Sequence, residues 1–498
     1  MGLGLLVWII GGPALAGAPV PVALDAEARA RGHVRVIVQL APAASRGERR
    51  MRQDGALAGV DARTRGAARR YAHVDAVALD ASPQSLRALA ASPDVRQIVL
   101  DGPLAAPSLD STGPIVGATA ATAAGFDGSG VAVAILDTGV DRQHPFLAGR
   151  VVSEACFSAN ASCPNGQTSQ LGSGAGAPCT YSGQCSHGTH VAGIAASSDA
   201  VYRGVASGAQ LASIEVFSMF TGVDCAGSGY DPCALAWPSD IIAGLDHART
   251  LAGTLPLVAA NMSLGSGTYY GKSSCDNGNV TTKQAIDALL AVGVASVAAS
   301  GNNYSPDAMA APGCISSAVS VGAVDDTDQV AVFSNSMYML DFFAPGVLVR
   351  SSVPGGGTQT LNGTSMATPH VTGAFAVLRQ ASPTAPLSAL LAALQNTGLP
   401  VTDTRPLAKN LTRPRIRVNL AVKSLAPAAC YDSLDNDGDG QIDFPADPDC
   451  YSGFDNNEQY ISPGGCGIGP ELALALPLLA AARRRIRAPR PTRPREIR

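Results

Sequence analysis

Five short apolar runs recur between segments of helical character from about residue 110 onward: "VAVAIL" (Val131–Leu136), "AQLASIEVF", "LPLVAANMSL", "ASVAAS" and "AVSVGAV". None alternates with polar residues, and a strand that is apolar on both sides must be covered on both faces, the condition of a parallel sheet layered between helices. The expected fold is a doubly wound, mostly parallel α/β domain. In such sheets ligands bind outside the carboxyl ends of the strands, so chemistry is expected in the residues that follow each run.

Ahead of this region lies a smaller α+β unit. "HVRVIVQL" (His33–Leu40) and "YAHVDAVALDA" (Tyr71–Ala81) alternate as strands, "SPQSLRALAAS" has an N-cap serine and helical spacing, and "VRQIVLD" reads as a further strand. The Pro-, Gly- and Ser-rich "GPLAAPSLDSTGP" is an exposed connector. At the N-terminus the apolar run Leu3–Ile10 and the small-residue Ala14-Leu15-Ala16 fit a signal peptide over residues 1–18, although no Lys or Arg precedes the run. Eleven cysteines without a CxxC pair agree with export and disulfides. Neighbours in sequence suggest Cys156 with Cys163, Cys179 with Cys185, Cys225 with Cys233, Cys275 with Cys314 and Cys430 with Cys450, but spacing does not fix the pairing. A net charge of −4 sets nucleic acid aside as a partner.

Three motifs follow strands or open helices. "DTGVD" places Asp137 at the end of "VAVAIL", where a buried carboxylate suits holding a histidine in one tautomer; the plainer reading is a turn aspartate. "SHGTHVAGIAA" has His187 opening a helix and His190 one turn later, without the glutamate that a zinc-protease helix carries between its histidines. "LNGTSMATPHVTGAF" puts Ser365 at a helix start, where free amides favour developing negative charge, with Pro369 expected in or near the first turn.

Together and in this order the motifs resemble those of the subtilisin-like serine proteases, the subtilase family, over roughly Ser108–Leu425. The resemblance implies Asp137 as orienting acid, His187 as general base, Ser365 as nucleophile and His190 as structural, with no cofactor for the chemical step. Asn302 in "ASVAASGNNYSP" matches the asparagine of the oxyanion hole, against the plainer reading of a loop asparagine beside Gly301. It also implies that Ser263, Leu264 and Gly265 pair with a peptide substrate as an added strand, with Ala299, Ser300 and Gly301 facing them across a specificity pocket of broad, apolar-leaning choice. The α+β unit, residues 19–107, resembles an inhibitory propeptide, with processing between Asp101 and Thr112 and a catalytic domain over 108–425. Two cysteine-bearing insertions, before His187 and after "IEVF", narrow the cleft or staple loops.

Residues 426–460 form an acidic module in which Asp435, Asp437, Asp439 and Asp443 resemble the ligands of a thrombospondin type 3-like calcium loop, a structural calcium site. In 461–498, Cys466, an apolar stretch and an arginine cluster resemble a bacterial C-terminal sorting signal, with anchoring through Cys466 or an ordinary membrane anchor as the two readings. The expected protein is a secreted or surface-sorted serine endopeptidase acting on proteins or peptides. A peptide ligase or cyclase on the same fold, and an inactive surface binding protein, are the alternatives.

Overall fold

A computed structural model describes residues 20–101, 104, 105, 112–425 and 441. The chain divides into two compact units, Met1–Ala426 and Pro427–Arg498, and apart from Gln441 the described residues belong to the first. The aspartates assigned to calcium and the cysteine-bearing tail therefore lie outside the described residues, as do Cys430, Cys450 and residues 1–18.

The first elements are helix α1 (Val22–Arg31), strand β1 (Val34–Leu40), α2 (Arg46–Ala56), β2 (Ala76–Ala81), α3 (Pro83–Ala90) and β3 (Val95–Leu100). β1 lies between β2 and β3, antiparallel to both. Because successive strand residues face opposite sides, Val34, Val36 and Val38 enter a core with Leu79, Leu86, Leu89 and Ile98, while Ile37 joins the core of the larger domain. Ser82 caps α3, its hydroxyl accepting from the Ser85 amide at 3.1 Å. The strand expected from Tyr71 begins only at Ala76. The preceding residues turn instead to meet the larger domain, and the amides of Ala72 and His73 donate to Asp246 at 2.9 and 2.8 Å.

After the two-residue strand β4 (Leu104–Ala105), the larger domain is built from β5 (Ala132–Asp137), β6 (Val151–Phe157), α4 (His187–Ala196), β7 (Gln210–Glu215), β8 (Ser218–Phe220), β9 (Cys233–Ala236), α5 (Pro238–Leu251), β10 (Leu257–Met262), α6 (Val280–Leu290), β11 (Ala295–Ala299), β12 (Val319–Val324), β13 (Phe342–Pro345), α7 (Thr364–Ala381), α8 (Leu387–Thr397), β14 (Leu399–Asp403), β15 (Leu411–Arg415) and α9 (Val418–Leu425). One sheet runs in the order β14, β15, β13, β12, β11, β10, β5, β7, β6, ending on Ser169–Leu171. Every pair from β15 to β6 is parallel and both outer pairs are antiparallel.

The five apolar runs are all strands of this sheet, and β5 shows why they lack polar alternation. Val133 and Ile135 pack with residues of α4 and α7, among them Val191, Ala195, Val371 and Phe375. Ala134 and Leu136 face the opposite way, into the core holding Ile242 and Leu245 of α5 and Ile286 of α6. Each face of the strand is thus sealed by helices. The chain order reverses between β5 and β10, so the crevice beyond their carboxyl ends is the switch point where a doubly wound sheet binds its ligand.

Disulfides join Cys156 to Cys163, Cys179 to Cys185, Cys225 to Cys233 and Cys275 to Cys314. Pro369 departs from the sequence expectation. It is the sixth residue of α7, in the second turn rather than the first, where its missing amide leaves the carbonyl of Ser365 without an intrahelical donor.

The packing of α7 on β5 yields a first expectation. Phe375 is fully buried between them, and Phe375→Ala should lower stability by about 3–5 kcal/mol. Guanidinium unfolding reads this out, and a loss under about 1 kcal/mol would mean that the site collapses around the missing ring.

Candidate active site

Asp137 ends β5 and is fully buried. Its Oδ1 accepts from the amide of Thr138 at 2.8 Å and from Nδ1 of His187 at 2.7 Å. The turn after it is shaped by two glycines. Gly139 has φ of 91°, and a Cβ on Gly188 would meet the Gly139 carbonyl oxygen at 2.3 Å, so the start of α4 closes on this turn only because position 188 lacks a side chain. Thr138 fastens the approach, its hydroxyl accepting from the Gly188 amide at 2.9 Å.

His187, the first residue of α4, is nearly buried, and its Nε2 has no hydrogen-bond partner among the described residues. With the proton held on Nδ1 by a carboxylate, Nε2 is left as the basic nitrogen. Ser365 is the second residue of α7, and α4 and α7 pack against each other. In this structure the Ser365 hydroxyl donates to the Ser263 carbonyl at 3.0 Å rather than to His187. Asp137 and His187 are therefore in contact and Ser365 is not bonded to them.

Ser263, which follows β10, does more than the sequence suggested. Its hydroxyl donates to the Ser365 carbonyl at 2.6 Å, the group that Pro369 leaves unserved, and accepts from Asn261 Nδ2 at 2.9 Å. Asn261 Oδ1 in turn accepts from the Thr372 hydroxyl at 2.9 Å. This chain of bonds fixes the start of α7 to the end of β10.

Asn302 follows β11, and its Oδ1 accepts from the amide and hydroxyl of Thr364 at 2.8 and 3.1 Å. That anchorage turns Nδ2 away from Thr364, with both its N–H groups available as donors. The Ser365 amide, in the first turn of α7, has no intrahelical acceptor. Thr364 is a site residue that sequence reasoning passed over; its place in "NGTS", one before the serine, was the available signal.

Of the other expected substrate residues, Leu264 is buried and Gly265 is part-exposed. Ser300 and Gly301 commit their main chains to the fold: Ser300 N–H donates to Val321 at 2.9 Å, the Ser300 carbonyl accepts from Ala310 at 2.8 Å, and Gly301 accepts from Asn335 at 2.8 Å. With Ala299, also buried, they do not offer a free strand edge. A strand that does pair with an extended segment is β9, where Leu235 and Ala236 lie antiparallel to Ala105 and Leu104. Its four residues are too short a run to stand out in the sequence.

His190 is fully buried. Its Nε2 bonds the Gln359 carbonyl at 3.0 Å, and burial pushes its pKa down to about 3. A further cluster of metal-ligating side chains among the described residues is Cys156, Cys163 and Glu215, but the two sulfurs are bonded to each other, and burial holds the Glu215 carboxyl well above its usual range.

Residues 128–416 match the sequence profile of the Subtilase family. Alkaline serine exoprotease A of Vibrio alginolyticus is 36% identical over 288 residues, which are 57% of this chain and 45% of that protein. An alkaline protease of Alkalihalobacillus alcalophilus is 35% identical over 314 residues, 62% of this chain and 70% of its own length. Subtilisin E of Bacillus subtilis is 35% identical over 265 residues, 52% of this chain and 58% of its own.

The buried histidines set an acid limit. His370 in α7 donates from Nδ1 to the Met366 carbonyl and accepts at Nε2 from the Thr112 hydroxyl, and burial lowers its pKa to about 4. The ordinary value is 6.5 for both His370 and His190. Between these limits the unfolded chain binds protons that the folded chain refuses, so stability is full above about pH 6.5 and falls as the pH drops toward 4. Thermal midpoints of Ser365→Ala across pH 7.5–4 should show this decline, and adding His370→Asn should flatten it.

Proposed function

This chain belongs to the subtilase family, and on that premise we propose that it hydrolyses peptide bonds through Asp137, His187 and Ser365, with Asn302 and the Ser365 amide receiving the oxyanion. The observation that carries this reading is the 2.7 Å bond from His187 Nδ1 to a fully buried Asp137, leaving Nε2 unpartnered beside the helix that carries Ser365. The reading requires the serine side chain to rotate off the Ser263 carbonyl and bring its hydroxyl to that nitrogen.

In the first step Oγ of Ser365 attacks the scissile carbonyl carbon and its proton passes to His187 Nε2. The imidazolium so formed is stabilised by Asp137, and the carbonyl oxygen, now negative, is met by the Ser365 amide and Asn302 Nδ2. His187 then gives the proton to the leaving nitrogen as the C–N bond breaks. Water, deprotonated by His187 Nε2, then attacks the acyl carbon, and the bond to Ser365 Oγ breaks as the imidazolium returns its proton to that oxygen. Ser263–Gly265 and Ala299–Gly301 line the crevice for the side chain before the cut.

The protein is further read as an exported zymogen. The α+β unit acts as propeptide: β4 takes the place of a substrate strand on β9, and Asp101, just after β3, accepts from the Ser239 amide at 2.7 Å at the start of α5 while pairing with Arg35 at 2.8 Å. The cut falls between Asp101 and Thr112. Four disulfides support an oxidising destination outside the cytoplasm. Calcium on Asp435, Asp437, Asp439 and Asp443, and anchoring through the tail, complete the proposal from the sequence pattern alone.

Expression without residues 461–498 tests the reading. The parent protein should shed about its first hundred residues, read by intact mass, and cleave casein, whereas Ser365→Ala should do neither. On the processed protein, Asn302→Ala should cost about 3–4 kcal/mol in kcat. A Ser365→Ala protein that still processes itself would remove the serine from the mechanism.

A further inference from the structure

A cavity of about 420 Å³ opens beside His187, and the loop closed by Cys225–Cys233 supplies part of its wall. Tyr230 of that loop, 47% exposed, lines it together with Gln184, Gln359 and Leu361. No Asp, Glu, Lys or Arg lines it. We infer that Tyr230 is a specificity-determining residue, whose ring binds a large uncharged side chain on the substrate residue second before the scissile bond; this rests on the peptidase reading above.

Three observations place the ring there. Its loop is closed at the base by the disulfide, and Asp231 beside it accepts from the Gly222 amide at 3.1 Å. The Ser228 hydroxyl clasps Tyr230 itself, accepting from its amide at 3.1 Å and donating to its carbonyl at 2.8 Å. On the facing side the ring lies so close to Gly183 that a Cβ there would meet Tyr230 Cε1 at 2.4 Å. That turn is held in its own right by Cys179–Cys185, and Gln184 Oε1 accepts from the Ala234 amide at 2.9 Å, tying the residues before His187 to β9. Both cysteine-bearing insertions therefore meet at this wall.

The register of β4 on β9 sets the direction of an approaching peptide. Leu104 lies opposite Ala236 and Ala105 opposite Leu235, so an extended chain in this register runs on past Ala234 and Cys233, toward Tyr230 and His187. Side chains of a strand alternate. The residue at the cut sends its side chain toward Ala299–Gly301, and the one before it points the opposite way, to the His187 side and the Tyr230 ring. A half-exposed aromatic face with open volume before it favours an apolar or aromatic side chain, and the lining has no Lys or Arg to pair with a carboxylate.

The test uses the processed enzyme and quenched peptides that differ only at that position, Phe, Leu, Gly or Glu, with the cleaved bond checked by mass spectrometry. For the parent enzyme kcat/KM with Phe or Leu should exceed that with Gly by about tenfold, with Glu lowest. Tyr230→Ala should bring Phe and Leu to within about twofold of Gly. Tyr230→Phe, which keeps the ring, should retain the parent profile. An undiminished Phe and Leu preference in Tyr230→Ala, or an equal loss in Tyr230→Phe, overturns the inference while leaving the peptidase reading intact. If the parent cleaves no peptide of the set, the peptidase reading falls and takes this inference with it.

Discussion

A carboxylate sealed from water at the end of a parallel strand must find partners within the fold, and Asp137 finds them on one of its two oxygens, Oδ2 being buried without one among the described residues. One oxygen receives the Thr138 amide and the His187 ring. Directly across the strand pairing, Glu215 of β7 stands level with Asp137 and is also buried. Two buried carboxylates at one level would repel, but burial drives Glu215 toward its neutral form, and its Oε1 accepts the Phe217 amide at 3.0 Å. The histidine therefore meets the field of one carboxylate, presented from one direction. The glycine contact between the two motifs makes that meeting possible, since any side chain at Gly188 would hold α4 off the strand.

The second fixed point is the start of α7. A proline in the second turn of a helix ordinarily costs a hydrogen bond, and here the vacated carbonyl belongs to Ser365. Ser263 occupies it, and the relay through Asn261 to Thr372 carries the attachment about two turns further along the helix. Thr364 makes the matching attachment to Asn302 from the other side. Ser365 is thus held by its neighbours and its own carbonyl, while its hydroxyl rests on a single acceptor, the Ser263 carbonyl.

Much of this was legible in the sequence. Unbroken apolar runs report burial on both faces, and that pattern located β5, β7, β10, β11 and β12 together with the positions after them, where Asp137 and Asn302 stand. Helix starts located His187 and Ser365. The roles of Ser263, Thr364 and Asn261 were not legible, because each depends on a partner far along the chain and a serine or threonine beside a motif has no distinctive spacing. Pro369 was misplaced for the same reason: its tolerance in the second turn depends on Ser263, 106 residues earlier. β9 was hidden by its length, and α1 and α2 by a composition rich in arginine and alanine, whose apolar spacing is slight.

The two faces of β1 bear on how the α+β unit is held. One face, Val34, Val36 and Val38, serves the unit's own core; the other carries Arg35, Ile37 and Gln39 to the larger domain. Arg35 reaches Ser239 at 2.9 Å, Gln39 reaches Thr281 at 3.3 Å, and Ile37 lies in the same core cluster as Ile241. Tyr71 adds a hydrogen bond to the Ser239 carbonyl at 3.0 Å and Arg69 an ion pair with Asp240. Against this interface, β4 contributes a pairing of two residues. Apolar burial grows with area, and partnered buried charges are costly to separate, so the broad face and not the short strand dominates the attachment. A break in the connector after β4 would cut the chain while leaving that face in place. Release then depends on what happens to the α+β unit's own small core, because the face that docks is the reverse side of the sheet that this core supports.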